Sequence, residues 1–593
     1  MLFSCPSLSL AAAVLLLLGP ARAEGSYDYI IIGGGTSGLL LATLLSTNPN
    51  TTIAVLESGP DARTDPRITI PENEGTIVAT TYDWNFTSIP QTSLLDQAVI
   101  AYPRGRVLGG TAAMNFMLWH RASSVELNAW EDVLNVSGGW DWDALFAASR
   151  DGETFMPPPE DLEAEGLTWD AAFHGFEGPV AGSMARNVYS LYEDYVVPSL
   201  EALGVPKLVD VDGGNTTGMR YGPLAVNASS YTRSYSGSAY TNVESRPNLV
   251  VYTNTTATRI LWSDNDDDDD ESFSSDDELA IASAVEFIDP SSGNLAILNG
   301  TNIIVSAGSI QSPPLLEVSG IGDPDILSSL GIPTIVVDLP AVGSGFQDHL
   351  TYAGIFGYNT SLNLTGDQYI QDFQDYAQPS RFLSEEDYAF ASNLLFNNDS
   401  MNSLTGASNA SLAMLRAMWT ADQPLIEFGW FLGFVTGYVL HPLSSGSVHA
   451  AAGAAAQQPL IDPNFNGASI NGTSFDLWLL AKALQYYATT VASSGPLGAN
   501  GAEFSIPGTL SFEDFQAEVL EGLTSGSHPT GGCVMMPREQ GGVVDGSLRV
   551  YGTANVRVVD ASVIPSSPGQ HAMGLVYAIA VRAAEILQGD AAY

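Results

Sequence analysis

The stretch YDYIIIGGGTSG (27–38) begins a pattern that a second apolar run, TIAVLE (52–57), completes. The run 27–32, with three consecutive β-branched isoleucines, predicts a buried strand, the glycines predict a tight turn, and residues 39–45 predict a helix. The second run predicts another strand. Strand, glycine turn, helix and strand within about 30 residues indicate a βαβ unit.

The glycine spacing in this unit is typical of a dinucleotide site. Gly33 permits the tight turn, Gly35 lets the backbone approach a pyrophosphate, and Gly38 lets helix and strand pack closely. The helix N-terminus then offers unpaired N–H groups to the phosphates. Glu57, 19 residues beyond Gly38, is placed to accept hydrogen bonds from ribose hydroxyls. An acid here disfavours a 2′-phosphate but leaves NAD and FAD open.

Length and charge restrict the classes of protein. With 593 residues, 45% hydrophobic and 15% charged, the chain is expected to form two closely joined globular domains. It has 20 Lys and Arg against 66 Asp and Glu, a formal net charge of -46. Such a surface repels nucleic acid and anionic membranes, so neither is a predicted partner. We interpret the acidity as solubility in an acidic extracellular medium.

The N-terminus predicts export. An apolar run at 8–18 precedes Ala21-Arg22-Ala23, so residues 1–23 are predicted to be a cleaved signal peptide. The run is too short for a comfortable membrane span, and no later segment resembles one. A secreted, glycosylated protein is also indicated by the Asn-x-Ser/Thr sequons at Asn50, Asn85, Asn135, Asn215, Asn227, Asn254, Asn299, Asn359, Asn363, Asn398, Asn409 and Asn471.

The two cysteines exclude two common features. Cys5 lies within the predicted signal peptide, so cleavage leaves Cys533 alone and no intrachain disulfide can form. Cys533 has no Cys or His at ligand spacing around it. We therefore interpret it as a small buried hydrophobic residue and predict no structural zinc site.

Further elements follow along the chain. Residues 248–260 and 301–306 are predicted to be buried strands, and the acidic run 264–278 between them is predicted to be a mobile hairpin tip. Residues 556–560 predict a strand, followed after His571 by an amphipathic helix through Leu587. The region 350–515 has no nucleotide signature and many aromatic residues, which favours substrate binding.

Three further blocks, in order after the glycine unit, carry a family resemblance. They are PRGRVLGGTAAMN (103–115), then GSIQSPPLLEVSGIG (308–322) with QDH (347–349), and finally HPTGG (528–532) with VVDA (558–561) and His571. Together with the glycine unit, these blocks resemble the glucose-methanol-choline (GMC) oxidoreductase family across nearly the whole mature chain.

The resemblance implies an α/β fold: a Rossmann-like FAD-binding domain with a discontinuous α+β substrate-binding domain built on an antiparallel sheet. The implied boundaries are 24–349 for the FAD-binding domain, with interleaved substrate-domain segments around 80–100 and 180–230. Residues 350–515 form the rest of the substrate-binding domain, and 516–593 return to the first domain with the catalytic histidines.

The resemblance also implies FAD as the cofactor. Some relatives attach FAD covalently through a His just before the Asn of the second block; Met114 stands here, so we predict non-covalent FAD. The implied cofactor residues are Gly33, Gly35, Thr36, Ser37, Gly38, Glu57, Ser58, Gly110, Asn115, Phe116, Met117, Leu118, Ala257, Asp560, Ala561, Ala572 and Met573.

Two histidines are the implied catalytic residues. Oxidising an alcohol requires a base near the hydroxyl, and imidazole has a suitable ordinary pKa. His528 matches the family's proton acceptor, and His571 matches its partner at the same hydroxyl. We interpret His174 and His349 as structural. Three other histidines have no convincing ligand spacing, so no metal is predicted: His120, His441 and His449.

The substrate is only narrowed. Sugar-oxidising relatives tend to carry Arg and Asn where this chain has Thr524 and Gly526, which argues against glucose. An aromatic wall would suit an aryl or polyketide-like alcohol of secondary metabolism; its candidate members are Tyr82, Trp84, Trp419, Phe428, Trp430 and Phe431.

Several functional alternatives stay open. One is an FAD-binding, non-redox cyclase or dehydratase of secondary metabolism, another is glucose oxidase- or dehydrogenase-like sugar oxidation, and a third is a non-catalytic FAD-binding protein. The expected partners are a small-molecule alcohol and an electron acceptor, either oxygen or a quinone-like compound. The oligomeric state is left open, with a homodimer among the alternatives.

Overall fold

The structure is a computed structural model that describes residues 26–263, 279–358, 362, 364–366, 373–431, 434–451 and 457–589. A parallel sheet with helices around it forms the first half of the fold. Its glycine turn lies between Tyr27–Ile32 and the helix Thr36–Leu45, as predicted. The parallel strands are, in spatial order, Leu249–Tyr252, Ile53–Leu56, Tyr27–Ile32, Leu295–Val305 and Val556–Val558.

An antiparallel meander extends this parallel sheet. The first part of Leu295–Val305 pairs with Ala282–Ile288, which in turn pairs with Thr256–Trp262. The long strand therefore belongs to both parts, and its carboxyl end reaches the level of the glycine turn, where Ser306 N donates to Ile32 O. Ligands bind at the carboxyl ends of such strands.

A seven-stranded antiparallel sheet forms the second half of the fold. The early segment Gly218–Tyr221 pairs with Phe373–Ala377, so this sheet draws on chain from before and after the parallel strands Leu249–Tyr252 and Leu295–Val305. Mixed α/β architecture with a discontinuous second domain is thus confirmed. The strands of this sheet are, in order, Ala502–Phe504, Leu350–Tyr358, Phe434–Val439, Ile426–Phe431, Phe373–Ala377 and Gly218–Tyr221, and Thr524–Ser525 pairs with Leu350–Tyr358.

Helices cover both sheets. Among the described residues, the α-helices of five residues or more are Thr36–Leu45, Ser124–Asp132, Trp142–Gly152, Glu160–Ala164, Val197–Glu201, Ser236–Thr241, Ser312–Val318, Pro324–Ser329, Glu385–Phe396, Asn409–Thr420, Phe475–Tyr486, Gly495–Ala499, Phe512–Glu521 and Met573–Gln588. Two π-helical segments are Leu191–Val196 and Tyr487–Val491. Met573–Gln588 packs against both Thr36–Leu45 and Trp142–Gly152. Among the described residues we find no helix with the length and apolar character needed to cross a bilayer.

Small strand pairs complete the described chain. They are Phe86–Thr87 with Ala101–Tyr102, Glu153–Met156 with Val180–Ser183, Val226–Asn227 with Thr232–Arg233, Ile321–Gly322 with Val337–Asp338, Ser469–Ile470 with Thr473–Ser474, and Ser344–Phe346 with Gly446–His449 and Leu460–Asp462.

Two strand predictions need correction. The predicted strand 248–260 is two strands, Leu249–Tyr252 and Thr256–Trp262. Asn254 between them has φ +55, a left-handed conformation that breaks the extended chain. The predicted strand 556–560 ends at Val558, because the Asp560 side chain caps the turn that follows by accepting from Ser562 N.

Other predictions were close or fall elsewhere. The strand predicted at 301–306 starts earlier, at Leu295, and ends at Val305. The last helix runs to Gln588 and stops at Gly589, whose φ of +78 suits a C-terminal glycine. The signal peptide (1–23) and the acidic run 264–278 lie outside the described residues, and the domain boundaries stay predictions.

Candidate active site

One cavity of about 610 Å³ lies where the carboxyl ends of the parallel strands meet the antiparallel sheet. Both predicted catalytic histidines line it. So does every predicted cofactor residue except Gly38, namely Gly33, Gly35, Thr36, Ser37, Glu57, Ser58, Gly110, Asn115, Phe116, Met117, Leu118, Ala257, Asp560, Ala561, Ala572 and Met573.

The glycine turn leaves room for a phosphate at Gly35. A Cβ on Gly35 would meet only Gly110 Cα, at 3.8 Å, so the space beside it is open. Gly33 has φ +106, and a Cβ there would lie 2.3 Å from Ser306 O. On Gly38 it would lie 2.1 Å from Gly33 O. Gly38 therefore packs the helix against the strand, while Gly35 faces the open cavity, where the spacing predicts the phosphates.

The helix end supplies the complementary charge. Thr36–Leu45 begins at Gly35 without a side-chain cap, so its first N–H groups are available to an anion. The residues present thus fit the pyrophosphate of a dinucleotide.

Glu57 is held rigidly at the end of the second strand. Its Oε2 accepts from Gly34 N at 2.9 Å and its Oε1 from Gly59 N at 2.7 Å. Burial raises the pKa of Glu57 to about 7. Each carboxylate oxygen keeps a further lone pair, which can accept from the ribose hydroxyls.

The second block positions Asn115 by three contacts. Asn115 Oδ1 accepts from Arg233 Nη1 at 2.8 Å and from Met117 N at 3.1 Å, and its Nδ2 lies 2.9 Å from the Met573 sulfur. Met117 has φ +63, so the chain turns sharply beside the cavity. Met114 lines the same wall, and a thioether offers no attachment point like an imidazole; non-covalent FAD stays a prediction.

Asp560 holds the opposite side of the cavity. Its Oδ2 accepts from Gly308 N at 2.8 Å and from Ser312 Oγ at 2.6 Å, and its Oδ1 accepts from Ser562 N at 2.8 Å. These contacts join the third and fourth sequence blocks. Asp560 therefore shapes the turn that places Ala561 on the cavity wall.

The two predicted catalytic histidines lie side by side. The ring centroids of His528 and His571 are 4.3 Å apart, at 71° to each other. Tyr438 faces both rings, at 6.1 Å and 5.3 Å. Burial lowers the pKa of His528 well below its ordinary value, so this ring is neutral at neutral pH, as a base must be.

Glu427 is the partner of His571. His571 Nε2 lies 2.8 Å from Glu427 Oε1. Burial would raise the pKa of Glu427, but the facing His571, together with His120 and Arg220, outweighs burial and the pKa falls to about 2. The carboxylate is therefore ionised, and since it can only accept, His571 keeps a proton on Nε2. His120 packs edge-on against His571 at 4.9 Å.

His349, which the sequence led us to interpret as structural, is the partner of His528. His349 Nδ1 lies 3.1 Å from His528 Nδ1, and His349 Nε2 lies 2.8 Å from Pro568 O. The neighbouring Asp348 accepts from His528 N at 2.8 Å. Sequence reasoning had placed this triplet in a family block but had no signal for its contact with the catalytic histidine, because 179 residues separate the two.

The sequence missed other residues of this wall. Glu427 and Tyr438 lie in the strands Ile426–Phe431 and Phe434–Val439, and alternation along a strand puts their side chains toward the cavity. The sequence signal that could have identified Glu427 is a single Glu within an apolar run typical of a strand. Arg104 also lines the cavity, and its Nη2 donates to Ser527 O at 2.8 Å.

Half of the predicted aromatic wall is correct. Trp84, Trp430 and Phe431 line the cavity together with Phe86 and Phe116. Phe116 and Phe431 meet edge-on at 5.6 Å. The other three candidates do not line it: Trp419 packs against Tyr388, Phe428 stacks on Tyr487, and Tyr82 donates to Asp65.

The remaining histidines lie away from the cavity lining. Buried His174 lies between Glu153 and Asp210, with Nε2 3.0 Å from the Asp210 carboxylate. His449 pairs with Glu317 at 2.6 Å. Two groups have ligand atoms within 4.8 Å of one another, His120–Glu427–His571 and Glu153–His174–Asp212, and the absence of a metal stays a prediction.

The fold and this cavity define a dinucleotide-dependent oxidoreductase with a pair of imidazoles at the reaction end. Two family models, both described as GMC oxidoreductase, match residues 27–351 and 442–580. The chain belongs to the GMC oxidoreductase family. Members of this family are FAD-dependent oxidoreductases that act on CH–OH donors, and the protein is such an enzyme with FAD as its cofactor.

Individual relatives match over nearly their whole length. A GMC oxidoreductase family protein, Mala s 12 of Malassezia sympodialis, is 30% identical over 95% of this chain and 93% of its own. The glucose oxidase-like protein fsoC of Humicola fuscoatra is 31% identical over 96% and 97%. The structure is similar to an FAD-dependent oxidoreductase from Chaetomium thermophilum, with TM-score 0.84, 25% identity and coverage of 95% and 99%.

Proposed function

We propose that the protein oxidises an alcohol with a flat, apolar body, of the aryl or polyketide-like kind. The observation that carries the proposal is the aromatic part of the cavity wall, which includes the strand Ile426–Phe431 that also carries Glu427. Trp430, Phe431 and Phe116 form an aromatic surface there, and such surfaces bind flat apolar groups.

The sugar-binding positions support the same substrate class. Thr524 and Gly526 both line the cavity, where sugar-oxidising relatives would present an Arg and an Asn. A sugar would bury several hydroxyls here with fewer partners, and each unpaired buried polar group costs about 1–3 kcal/mol. The site therefore favours a substrate with one hydroxyl group, which the histidines can contact, over a substrate with many hydroxyl groups.

The two histidines divide the work at the hydroxyl group. When bound, FAD supplies the hydride acceptor. His528, which is neutral and lines the cavity, takes the hydroxyl proton. His571, whose Nε2 lies 2.8 Å from Glu427 Oε1, hydrogen-bonds the same hydroxyl group and orients it. The substrate thus loses a proton to the protein and a hydride to the cofactor, and leaves as a carbonyl compound.

We also propose that the protein is exported and glycosylated. Supporting this, the sequon asparagines that the structure describes are accessible: Asn227 is half-buried, and the exposed ones are Asn50, Asn85, Asn135, Asn215, Asn254, Asn299, Asn398, Asn409 and Asn471. When the full chain is expressed in yeast, we expect to recover it from the culture medium. Treatment with a peptide N-glycosidase should then decrease its mass.

An anaerobic titration tests the substrate class. The FAD-loaded protein is mixed with aryl alcohols, alkyl alcohols, sugars and polyketide lactols while the flavin band near ~450 nm is followed. We expect aryl or polyketide-like alcohols to bleach the band at the lowest concentration. Bleaching by sugars alone would overturn the substrate class. Product formation without bleaching or any electron acceptor would identify the non-redox cyclase or dehydratase instead.

A further inference from the structure

Three consecutive residues, Gln347, Asp348 and His349, hold both catalytic loops. Gln347 Oε1 accepts from Ser567 N at 3.1 Å, in the loop that leads to His571. Asp348 Oδ1 accepts from His528 N at 2.8 Å. His349 contacts both loops with its two ring nitrogens. All three residues are nearly inaccessible to solvent.

The contact with Pro568 determines the tautomer of His349. A backbone carbonyl can only accept a hydrogen bond, so His349 Nε2, 2.8 Å from Pro568 O, must carry the proton. Burial lowers the pKa of His349 to about 4, which leaves the ring neutral at neutral pH. Its Nδ1 is then a lone pair.

The contact between the two histidines then determines the tautomer of His528. The two Nδ1 atoms are 3.1 Å apart, and a hydrogen bond between them needs exactly one hydrogen. Since His349 Nδ1 is the acceptor, His528 Nδ1 is the donor. A neutral imidazole carries a single N–H, so His528 Nε2 is left with the free lone pair.

We propose that His349 is a positioning residue that fixes the tautomer of His528, so that Nε2 faces the substrate as a ready proton acceptor. The inference rests on the proposed function only in taking His528 as the base. After His528 has accepted a proton at Nε2, its bond to His349 remains and becomes charge-assisted, which strengthens it. His349 therefore favours the proton transfer both before and after it occurs.

The same residue links the two histidines in space. Pro568 lies three residues before His571, so the His349 ring connects the His571 loop to the His528 ring. A change at position 349 is expected to alter the rate of the chemical step more than the affinity for the substrate, because His349 does not line the cavity.

Neutron crystallography tests the tautomer directly. Crystals of the FAD-loaded enzyme exchanged into D₂O should show deuterium on His349 Nε2 and on His528 Nδ1, with none on His528 Nε2. Deuterium on His528 Nε2, or on His349 Nδ1, would overturn the proposal. This result involves no substrate, so it stands apart from any failure of the proposed substrate class.

Two variants test the consequence for the rate. His349→Asn keeps an oxygen acceptor near the position of Nδ1, whereas His349→Leu removes it. With the best alcohol of the panel, we expect the anaerobic rate of flavin reduction to fall by about 10²-fold in His349→Leu, with KM within about 3-fold of wild type. His349→Asn should recover most of this loss.

A matched control separates positioning from packing. His441→Asn changes another buried histidine, whose ring lies against Gly569 in the His571 loop but does not contact His528. This variant should keep the rate within about 3-fold. Equal losses in His349→Leu, His349→Asn and His441→Asn, each with full FAD, would mean that His349 only packs the loop and would overturn the proposal. If His349→Leu does not fold, the neutron map and His349→Asn still decide.

Discussion

The loops that carry His528 and His571 differ in the group that contacts each ring. A neutral imidazole, His349, backs His528 at 3.1 Å, whereas an ionised carboxylate, Glu427, backs His571 at 2.8 Å. The carboxylate holds a proton on the nitrogen that faces it, while the neutral ring adds no charge. The two adjacent histidines therefore have different properties because their partners differ. Paired titratable groups commonly divide acid and base roles in this way.

The largest expected effect comes from removing the ring on the neutral side. His528→Ala should reduce flavin reduction by the best alcohol about 10²- to 10⁴-fold, the usual cost of losing a general base. Stopped-flow absorbance measures this rate under anaerobic conditions. FAD content should stay close to wild type, because the residues fitted to the pyrophosphate and ribose lie elsewhere in the cavity.

His449→Ala is the control for His528→Ala. It removes an imidazole that pairs with Glu317 and does not line the cavity, so its reduction rate should match wild type. If His528→Ala retains FAD and reduces it at a rate near wild type, His528 is not the proton acceptor, and the difference between the two loops has no catalytic meaning.

A smaller effect is expected on the charged side. Glu427→Gln keeps an acceptor for His571 Nε2 but removes the negative charge. A hydrogen bond to a charged group is worth about 1 to 2 kcal/mol more than a neutral one, so we expect the reduction rate to fall about 5- to 30-fold. Glu317→Gln removes the charge of another buried Glu–His pair, outside the cavity lining, and should leave the rate unchanged. A reduction rate equal to that of wild type in both variants would show that the charge beside His571 does not contribute to the reaction.

Nearly all the residues that the sequence predicts for the nucleotide half of the site line the cavity, and their contacts with the cofactor stay predictions. Gly33, Gly35 and Glu57 sit in one short βαβ unit, where each role follows from spacing along the chain, and the structure places them as expected. Local geometry determines such a site, so local sequence reveals it.

The reaction end was predicted only in part, for a physical reason. Glu427 meets His571 across 144 residues, and His349 meets His528 across 179. These contacts depend on how the antiparallel sheet packs against the loops, which a single sequence does not specify. The same limit explains the aromatic wall. Phe428 and Trp430 share one face of a strand, yet Trp430 lines the cavity whereas Phe428 stacks on Tyr487, because different parts of the chain pack against that face.

A change at Glu126, which contacts the His571 loop, is expected to have the smallest effect on the reaction rate and a separate effect on stability. Glu126 is buried, and both its carboxylate oxygens lie 3.0 Å from Gly569 N, two residues before His571. Burial raises the pKa of Glu126 to about 8, from an ordinary 4.5. Between these values the folded protein holds more protons than the unfolded chain. Its free energy of unfolding therefore falls as pH rises from about 4.5 to about 8, by at most about 1.4 kcal/mol per pH unit.

Glu126→Gln should remove this pH dependence while leaving the reduction rate within about 2-fold, because Gln still accepts from Gly569 N. Urea unfolding of the FAD-loaded enzyme at pH 5, 6.5 and 8 measures the slope. Glu427 acts in the opposite sense: its folded pKa of about 2 gives stability that is complete above about 4.5 and is lost as pH falls toward 2. Glu427→Gln should thus change only the acid side, and Glu126→Gln only the neutral side. A Glu126→Gln slope equal to that of wild type and of Glu317→Gln would show that Glu126 is already ionised at neutral pH, so that both carboxylates behind the His571 loop carry charge.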